Sequence, residues 1–581
     1  MEQNSKKPMI FDDDEPVAVP SVVGLGSGKI VLRTFHKADA PLEKTDHLLV
    51  AELMGFAIGD ERCGVDIVTV LDVSCSMKGE NLEKLKTSMK YLVKKLNPID
   101  RLSIVTFSSN ANKLCGLTGM NKDAQYKIEM LINKLEVDGG TDITVGLQTA
   151  LKVLDARRQH EGRTSAIMLL SDGEHNGPDH PSTVDVGHVP VYTFGLGRGH
   201  DSQLLQEIAS RSNKGTYAIA DAKEASLNIA FSSCLAGLLS VVVQDVELTF
   251  TQKESEIQEV KAGNYDQTRV NKSVTISFGN LYNREKRNII VFLSLPAVEE
   301  RMTTDILEVS FSCRPSGGGD LIISETITAI VTRTGSPMTV DPIEVSNEIA
   351  RVDTVAAIEK ARKQADANDL NGAQNTMKNA EKLLSNLNRG EDELIKALKY
   401  EVQEFLHLIH PNTYLKEGRA FALSSELSHN LQRFAARGDA TQLVALAIPL
   451  VARFANQAIE FEQDNNIEVT STDEDKKEVA TQTATADAAA EEEQTEALMD
   501  KADEEEKTET ADKNNLIVAQ ADIVKHQLGE VIDSLKAIQD LIAALQKPAQ
   551  TTTTYHCPCL LLLFSFTLLA FYLLLSDKCI I

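Results

Sequence analysis

Three oxygen-bearing side chains stand close together in the sequence DVSCS at positions 72–76. Asp72, Ser74 and Ser76 supply one carboxylate and two hydroxyls on a single short stretch. Hard oxygen donors of this kind suit Mg²⁺, Mn²⁺ or another hard divalent cation. The stretch is therefore a candidate metal-binding loop, although the same pattern alone is also typical of an ordinary helix-capping turn.

The elements on either side of this loop place it at a sheet edge. Residues 65–71 (VDIVTVL) are rich in β-branched side chains, which is typical of a buried strand. Apolar residues at Leu82, Leu85 and Met89 then follow at helical spacing. In an open α/β sheet, ligands bind in the crevice at the carboxyl ends of the strands. The loop lies at such a point.

Two further oxygen donors follow later in the chain. From about 63 to 240 strand patterns alternate with helix patterns, which predicts a parallel, doubly wound α/β sheet. Thr141 follows the pair Gly139-Gly140, and Asp172 follows the apolar strand pattern over 165–170. Asp72 and Asp172 both come just after strands, so we expect both to face the same crevice.

At this point the residues match a known pattern. DVSCS at 72–76, GGT ending at Thr141 and LLSDG around Asp172 resemble the metal-ion-dependent adhesion site of von Willebrand factor type A (vWA) domains. The resemblance covers about 65–239. It extends to a plant intracellular family that pairs this domain with a RING finger, through DDDEP, RLSIVTFSS, TFGLG, LAGLLSVVVQ and ALSSELSHNLQRFAARGD.

The resemblance implies a Rossmann-like vWA domain that holds Mg²⁺. Ser74, Ser76 and Thr141 would be hydroxyl ligands, and Asp72 and Asp172 would bind directly or through water. In such domains an acidic residue of a protein partner completes the metal shell, so the site recognises a ligand without performing chemistry. The implied function is a metal-dependent protein-interaction scaffold.

This sequence departs from the family pattern in two ways. The RING cysteines are absent among its eight cysteines, so ubiquitin-ligase activity is not carried over. Position 75 is Cys where these loops usually have Gly, and a side chain there is expected to strain the turn. Cys75 is either an inert small residue or a redox-sensitive thiol beside a cation.

Composition and motifs exclude several other classes of function. The net charge of −26 argues against nonspecific nucleic-acid binding. The chain has no C-x-x-C pair for zinc, no G-x-S-x-G nucleophile elbow and no phosphate loop ending in G-K-[ST]. We therefore expect a protein that is not an enzyme.

The rest of the chain divides by composition and periodicity. A helical pattern runs from 345 to about 387, followed by a second helix over 392–409. The predicted parts are a flexible acidic arm (1–28), strands that join the later β region (29–62), the vWA domain (63–240), a β-sandwich-like domain (241–335), a helical region (345–462), an acidic disordered linker (464–513), a coiled coil (514–547) and a transmembrane tail (557–576).

The last two segments suggest how the chain is assembled and located. The heptad pattern of 514–547 either packs on the chain's own helices or forms a homo- or hetero-oligomer, and we favour self-association. The uncharged run 557–575 is either a core helix or a membrane anchor. With no signal peptide, it predicts a single-pass, tail-anchored protein on the cytosolic face of a membrane. A regulatory subunit or decoy of the RING-bearing relatives, acting by oligomerisation without metal, remains the alternative function.

Overall fold

The computed structural model describes residues 29–57, 62–160, 162–220, 226–337, 340–387, 389, 392–437, 443 and 447–461. The strands are β1 (Lys29–His36), β2 (Asp39–Ala40), β3 (Thr45–Phe56), β4 (Val65–Asp72), β5 (Arg101–Phe107), β6 (Ala111–Gly119), β7 (Thr164–Ser171), β8 (Val191–Leu196), β9 (Tyr217–Ala220), β10 (Val241–Gln252), β11 (Glu256–Lys261), β12 (Asp266–Val270), β13 (Ser273–Tyr282), β14 (Lys286–Leu295), β15 (Met302–Pro315), β16 (Ile322–Ile323) and β17 (Ile327–Arg333). The helices are α1 (Glu80–Lys95), α2 (Lys122–Asn133), α3 (Ile143–Asp155), α4 (Ser202–Arg211), α5 (Ser226–Leu238), α6 (Ile343–Asp366), α7 (Leu370–Asn386), α8 (Glu393–Leu408), α9 (Arg419–Asn430) and α10 (449–461).

The α/β domain is built on a sheet with the strand order β6-β5-β4-β7-β8-β9. All neighbours in it are parallel except β5 and β6. Alternate residues of β4 enter different cores: Ile67 and Leu71 pack with α1, α2 and α5, whereas Val68 and Val70 pack with α3 and α4. The predicted Rossmann-like α/β class is confirmed, with further β and helical regions beside it.

The antiparallel region contains strands from both sides of the α/β sheet in sequence. One sheet has the order β1-β3-β14-β11, and the other has the order β12-β13-β10-β15-β17-β2. β3 pairs with β14 along ten residues, from Thr45↔Leu295 to Met54↔Lys286. Inward residues of the two sheets, such as Leu53 and Phe250, share one apolar core. The α/β domain is therefore an insertion between β3 and β10.

The helical region differs from the predicted long helix over 345–387. Two helices, α6 and α7, occupy this range, because the chain turns at Asn368, whose φ is +64°. Asp369 then caps α7 by accepting a hydrogen bond from the Gly372 amide at 2.8 Å. Asn is one of the few residues that adopt this left-handed conformation readily. The hairpin packs with α8 and α9 around Met377, Leu398 and Phe405.

The segment that follows α9 joins the helical region to both other parts. The Ile219 amide of β9 donates a hydrogen bond to the Ala436 carbonyl at 2.9 Å. The buried guanidinium of Arg433 donates to the Glu285 carboxylate and to the carbonyls of Asn280 and Lys214. These four hydrogen bonds bring the α/β domain, the sandwich and the helical region together at one junction.

The predicted membrane location is corrected by the structure. Within the described ranges, no helix combines the length and the apolar character needed to cross a bilayer. The longest of them, α6, carries charged residues along its length. This contradicts the predicted single-pass, tail-anchored protein on the cytosolic face of a membrane. The predicted arm, acidic linker, coiled coil and tail (1–28, 464–513, 514–547 and 557–576) lie outside the described residues.

Glu401 carries a buried charge that should make the helical region sensitive to acid. Its carboxylate lies 2.6 Å from His429 Nε2 and 2.8 Å from Arg437 Nη1. Burial alone would raise the pKa of Glu401, but the charges of Arg437 and His429 lower it to about 2. An unfolded glutamate has a pKa of about 4.3. The folded chain thus binds fewer protons between these values, so stability falls as the pH drops through this window.

Glu401→Gln should lower the free energy of unfolding at neutral pH by about 3 kcal/mol, because it leaves Arg437 buried without its partner charge. The difference from the wild type should shrink as the pH falls from about 4.3 towards 2. Urea unfolding followed by circular dichroism at several pH values measures it. Glu404→Gln on the same helix is the control. A difference that is independent of pH would contradict the assignment of the stabilising charge to Glu401.

Candidate metal site

The loop between β4 and α1 is fixed by its own hydrogen bonds. Asp72 is the last residue of β4, and its Oδ1 accepts a hydrogen bond from the Ser74 amide at 2.8 Å. A 3₁₀ turn follows over Cys75–Met77. Gly79, with a φ of +89°, then redirects the chain into α1, a conformation that glycine adopts without strain. The two serine hydroxyls, Ser74 Oγ and Ser76 Oγ, lie 3.0 Å apart.

The second loop is held against the first by backbone hydrogen bonds. The Cys75 amide donates to the Gly139 carbonyl at 3.2 Å, and the Asp138 amide donates to the Val73 carbonyl at 2.7 Å. Gly139 has a φ of +67°, which allows the chain to turn towards Thr141. The Thr141 amide donates to Asn176 Oδ1 at 2.8 Å. Thr141 is therefore anchored on both sides.

The third loop brings Asp172 to the serine pair. Ser76 Oγ donates a hydrogen bond to Asp172 Oδ1 at 2.7 Å. A Cβ placed on the neighbouring Gly173 would lie 3.4 Å from Ser76 Oγ and 3.8 Å from Thr141 Oγ1. The Thr141 hydroxyl therefore faces the same space as Ser76. The structure thus brings all five predicted side chains, Asp72, Ser74, Ser76, Thr141 and Asp172, to the carboxyl end of the parallel strands.

The two carboxylates of this cluster receive hydrogen bonds from neutral donors. Asp72 accepts from the Ser74 amide and from Ser171 Oγ, the latter at 2.6 Å. Asp172 accepts from Ser76 Oγ and from Asn81 Nδ2 at 2.8 Å. Among the ion pairs that the described residues form, none involves Asp72 or Asp172. Two negative charges therefore stand close together without a protein cation.

Asp66, at the opposite end of the same strand, shows how this chain neutralises a buried carboxylate. Its two oxygens accept hydrogen bonds from Arg101 at 2.7 and 2.6 Å, from Arg157 at 3.0 Å and from Arg163 at 2.8 Å. Burial alone would raise the pKa of Asp66, but the hydrogen bonds and charges of Arg101 and Arg163 lower it.

The pKa of Asp72 moves in the other direction. Burial is the main cause of its rise, and the charge of Asp172 adds to it, against the hydrogen bonds from Ser171 and Ser74. Both aspartates are buried, but only Asp66 is surrounded by positive charge. A divalent cation would supply the missing charge at Asp72 and Asp172.

The donor set fits such a cation. Two carboxylates and three hydroxyls are hard oxygen ligands, and Ser76 is exposed, so one side of the cluster opens to solvent. Among the described residues, no three side chains of the His, Cys, Asp and Glu types come together as a metal cluster. That finding is compatible with this site, in which three of the five predicted ligands are Ser or Thr.

Cys75 does not strain the loop, contrary to the expectation from its side chain. Its backbone is part of the 3₁₀ turn, and it is not among the residues with positive φ. The thiol is exposed to solvent and forms no disulfide. The two roles considered for Cys75, an inert small residue and a redox-sensitive thiol, both stay open to the thiol-labelling test of Cys75 against the buried Cys115.

Two supporting residues were missed by the sequence analysis. Ser171 and Asn81 are not predicted ligands, yet each donates to one carboxylate of the cluster. Ser171 lies inside the LLSDG motif, so its place beside Asp172 in the sequence could have indicated a supporting role at the site. Asn81 carries no comparable signal, because its contact spans 91 residues of sequence.

Comparisons with known proteins identify the domain that contains these loops. The family profile of the von Willebrand factor type A domain matches residues 66–231. The chain is 29% identical over 259 residues to E3 ubiquitin-protein ligase WAV3 of Arabidopsis thaliana, a match covering 42% of this chain and 32% of that protein. It is 25% identical over 389 residues to probable E3 ubiquitin-protein ligase WAVH2 of the same plant, covering 62% and 50%. The matches thus span a third to a half of these relatives.

A solved structure shares the fold. The von Willebrand factor type A structure from Catenulispora acidiphila aligns with a TM-score of 0.55 and covers 69% of this chain and 96% of its own. The sequence identity is 16%, so this likeness concerns the fold alone.

The loop conformation predicts the effect of placing glycine at position 75. Cys75→Gly should leave the free energy of unfolding unchanged or lower it by up to about 1 kcal/mol, because glycine loses more backbone entropy on folding. The melting temperature should then stay the same or fall. Differential scanning fluorimetry in EDTA measures it. A clear rise in melting temperature would show that the Cys75 side chain does strain the turn.

The two ends of β4 predict opposite responses to removal of charge. In EDTA, Asp72→Asn should raise the melting temperature, because it removes an uncompensated buried charge. The amide oxygen can still accept from the Ser74 amide, and the amide nitrogen can donate to Ser171 Oγ. Asp66→Asn should destabilise the fold by about 3 kcal/mol or more, because it leaves the fully buried Arg101 without its partner charge. Thermal unfolding of both variants tests this. Equal losses in the two variants would mean that Asp72 stabilises the metal-free fold as Asp66 does.

Proposed function

Since the chain belongs to the plant family of von Willebrand factor type A domain proteins, we propose that it is a non-enzymatic protein-interaction scaffold. In this proposal Asp72, Ser74, Ser76, Thr141 and Asp172 hold Mg²⁺, or Mn²⁺ in its place. An acidic side chain of a protein partner completes the shell of the ion. The partner would thereby be captured through a coordination contact, with no covalent bond made or broken.

The observation that carries the proposal is the uncompensated pair of carboxylates. Asp72 and Asp172 lie beside three hydroxyls, and their hydrogen-bond donors are all neutral. Keeping two such charges close together is unfavourable unless a cation binds between them. The arginine cluster around Asp66 supports this reading, because the same domain neutralises a buried carboxylate where no ligand is needed.

The bound ion would supply a positive charge with an open coordination position, to which a partner carboxylate binds. The hydroxyl of Ser76 donates its proton to Asp172 and can accept a hydrogen bond from Ser74 Oγ at 3.0 Å, so one lone pair of Ser76 remains to face a cation. The Thr141 loop is anchored by Asn176 and by the backbone of the first loop. The protein's part is therefore to present preorganised oxygen atoms and to leave one side exposed.

The histidines on neighbouring loops support a binding role. His175 accepts a hydrogen bond from the Ile143 amide through Nδ1, and its Nε2 lies 3.0 Å from the Asp179 carbonyl. Both ring nitrogens of His200 also have partners, the Gly197 carbonyl and the Tyr217 hydroxyl. Because both ring nitrogens of each imidazole are engaged, neither has a free nitrogen with which to activate Ser74 or Ser76 as a nucleophile.

A second candidate rests on the names of the relatives. WAV3 and WAVH2 are ubiquitin-protein ligases by name. A regulatory subunit or decoy of such ligases, acting by oligomerisation and independently of metal, would also use a vWA domain. The heptad segment 514–547 that would mediate oligomerisation lies outside the described residues.

Removing both carboxylates separates the two candidates. The double variant Asp72→Ala with Asp172→Ala should lose partner capture, and excess EDTA should have the same effect on the wild-type chain, because each removes the bound ion. Capture is measured by affinity purification and quantitative mass spectrometry from plant extract, with and without added Mg²⁺.

The matched control is Asp123→Ala with Asp155→Ala, which removes two exposed carboxylates of the same domain. It should capture the same partners as the wild type. Capture that survives both the double site variant and EDTA would contradict the metal-dependent scaffold and favour the oligomerisation candidate.

A further inference from the structure

Asn81 reaches the metal loops from the first turn of α1. It is the second residue of that helix, after Gly79, whose positive φ sets the direction in which α1 starts. Its side-chain nitrogen Nδ2 lies 2.8 Å from Asp172 Oδ2, although 91 residues separate the two in sequence. Asn81 is half-buried, so solvent competes with this hydrogen bond only in part.

The two oxygens of Asp172 are engaged from opposite elements. Oδ1 accepts from Ser76, which is itself a predicted metal ligand, and Oδ2 accepts from Asn81, which is not. A carboxylate held at both oxygens cannot rotate freely. Without the Asn81 amide, Asp172 is held only through Ser76 and can turn about its terminal torsion.

The charge of the donor matters as much as its position. A lysine or arginine at this place would neutralise Asp172 and compete with a cation. The Asn81 amide fixes the carboxylate while leaving its full negative charge in place. Ser171 does the same for Asp72, with its hydroxyl 2.6 Å from Oδ2. Each aspartate of the site thus has a neutral supporting donor.

We propose that Asn81 is a positioning residue of the metal site, which orients Asp172 for a divalent cation without neutralising it. This inference rests on the proposed function, since it concerns the same site. Partners that orient metal ligands in this way contribute substantially to metal affinity, and their loss commonly weakens binding by one to two orders of magnitude.

The test is the affinity of the full-length protein for Mn²⁺, measured by calorimetric titration and by electron paramagnetic resonance of free Mn²⁺. Asn81→Ala and Asn81→Leu both remove the amide, and the second keeps a side chain of similar size. Each should weaken Mn²⁺ binding about tenfold relative to the wild type. Asn81→Gln, which retains an amide donor on a longer side chain, should recover part of the affinity.

Asn133→Ala, an exposed asparagine at the end of α2, is the matched control and should bind Mn²⁺ like the wild type. The melting temperature in EDTA should be similar for all variants, which excludes a general loss of structure. Unchanged affinity in both Asn81→Ala and Asn81→Leu would overturn the positioning role while leaving the proposed function intact. Failure of the wild type itself to bind Mn²⁺ would overturn both.

Discussion

The parallel pairing of β4 with β7 is the constraint on which the candidate site depends. Parallel register brings the carboxyl ends of both strands to one edge, so Asp72 and Asp172 must meet there. The hydrophobic residues between the two ends of β4 hold this register, because a slip of one residue would turn Val68 and Val70 out of their core. Apolar packing between the strands therefore forces the two carboxylates close together. The loops only adjust the final positions of their oxygens.

The junction around Arg433 fixes the helical region against the α/β domain and the sandwich. Its guanidinium lies over the Tyr282 ring and donates to groups of both other parts. The hydroxyls of Tyr192 and Tyr282 also meet at 2.8 Å across the same boundary. Buried polar contacts of this kind are favourable only in one arrangement, because each donor loses its partner if the parts shift. The described chain is thus held in one arrangement by direction-dependent bonds as well as by apolar area.

The sequence predicted the site residues whose chemical type and position after a strand or turn could be recognised locally. It did not predict elements and roles that depend on contacts between residues far apart in the chain. DVSCS and Asp172 were identifiable because their oxygen-bearing residues follow strong strand patterns, and Thr141 because it follows the pair Gly139-Gly140. β6 was missed, since Asn112 and Gly116 have low strand propensity and the strand exists through its pairing with β5. The break at Asn368 interrupts a pattern that continues helically on both sides. Asn81 and Arg433 act on groups that only the folded chain brings close, so neither role had a local signal.

The insertion of the α/β domain between β3 and β10 has a mechanical consequence. A pull on the loops of the candidate site would be transmitted through two covalent connections into one sandwich, and through the hydrogen bond between the Ile219 amide and the Ala436 carbonyl into the segment after α9. The force is then shared by several points of attachment, and the α/β domain has no single linker about which it could rotate. The loops of the candidate site therefore keep a fixed orientation relative to the sandwich when a pull is applied to them.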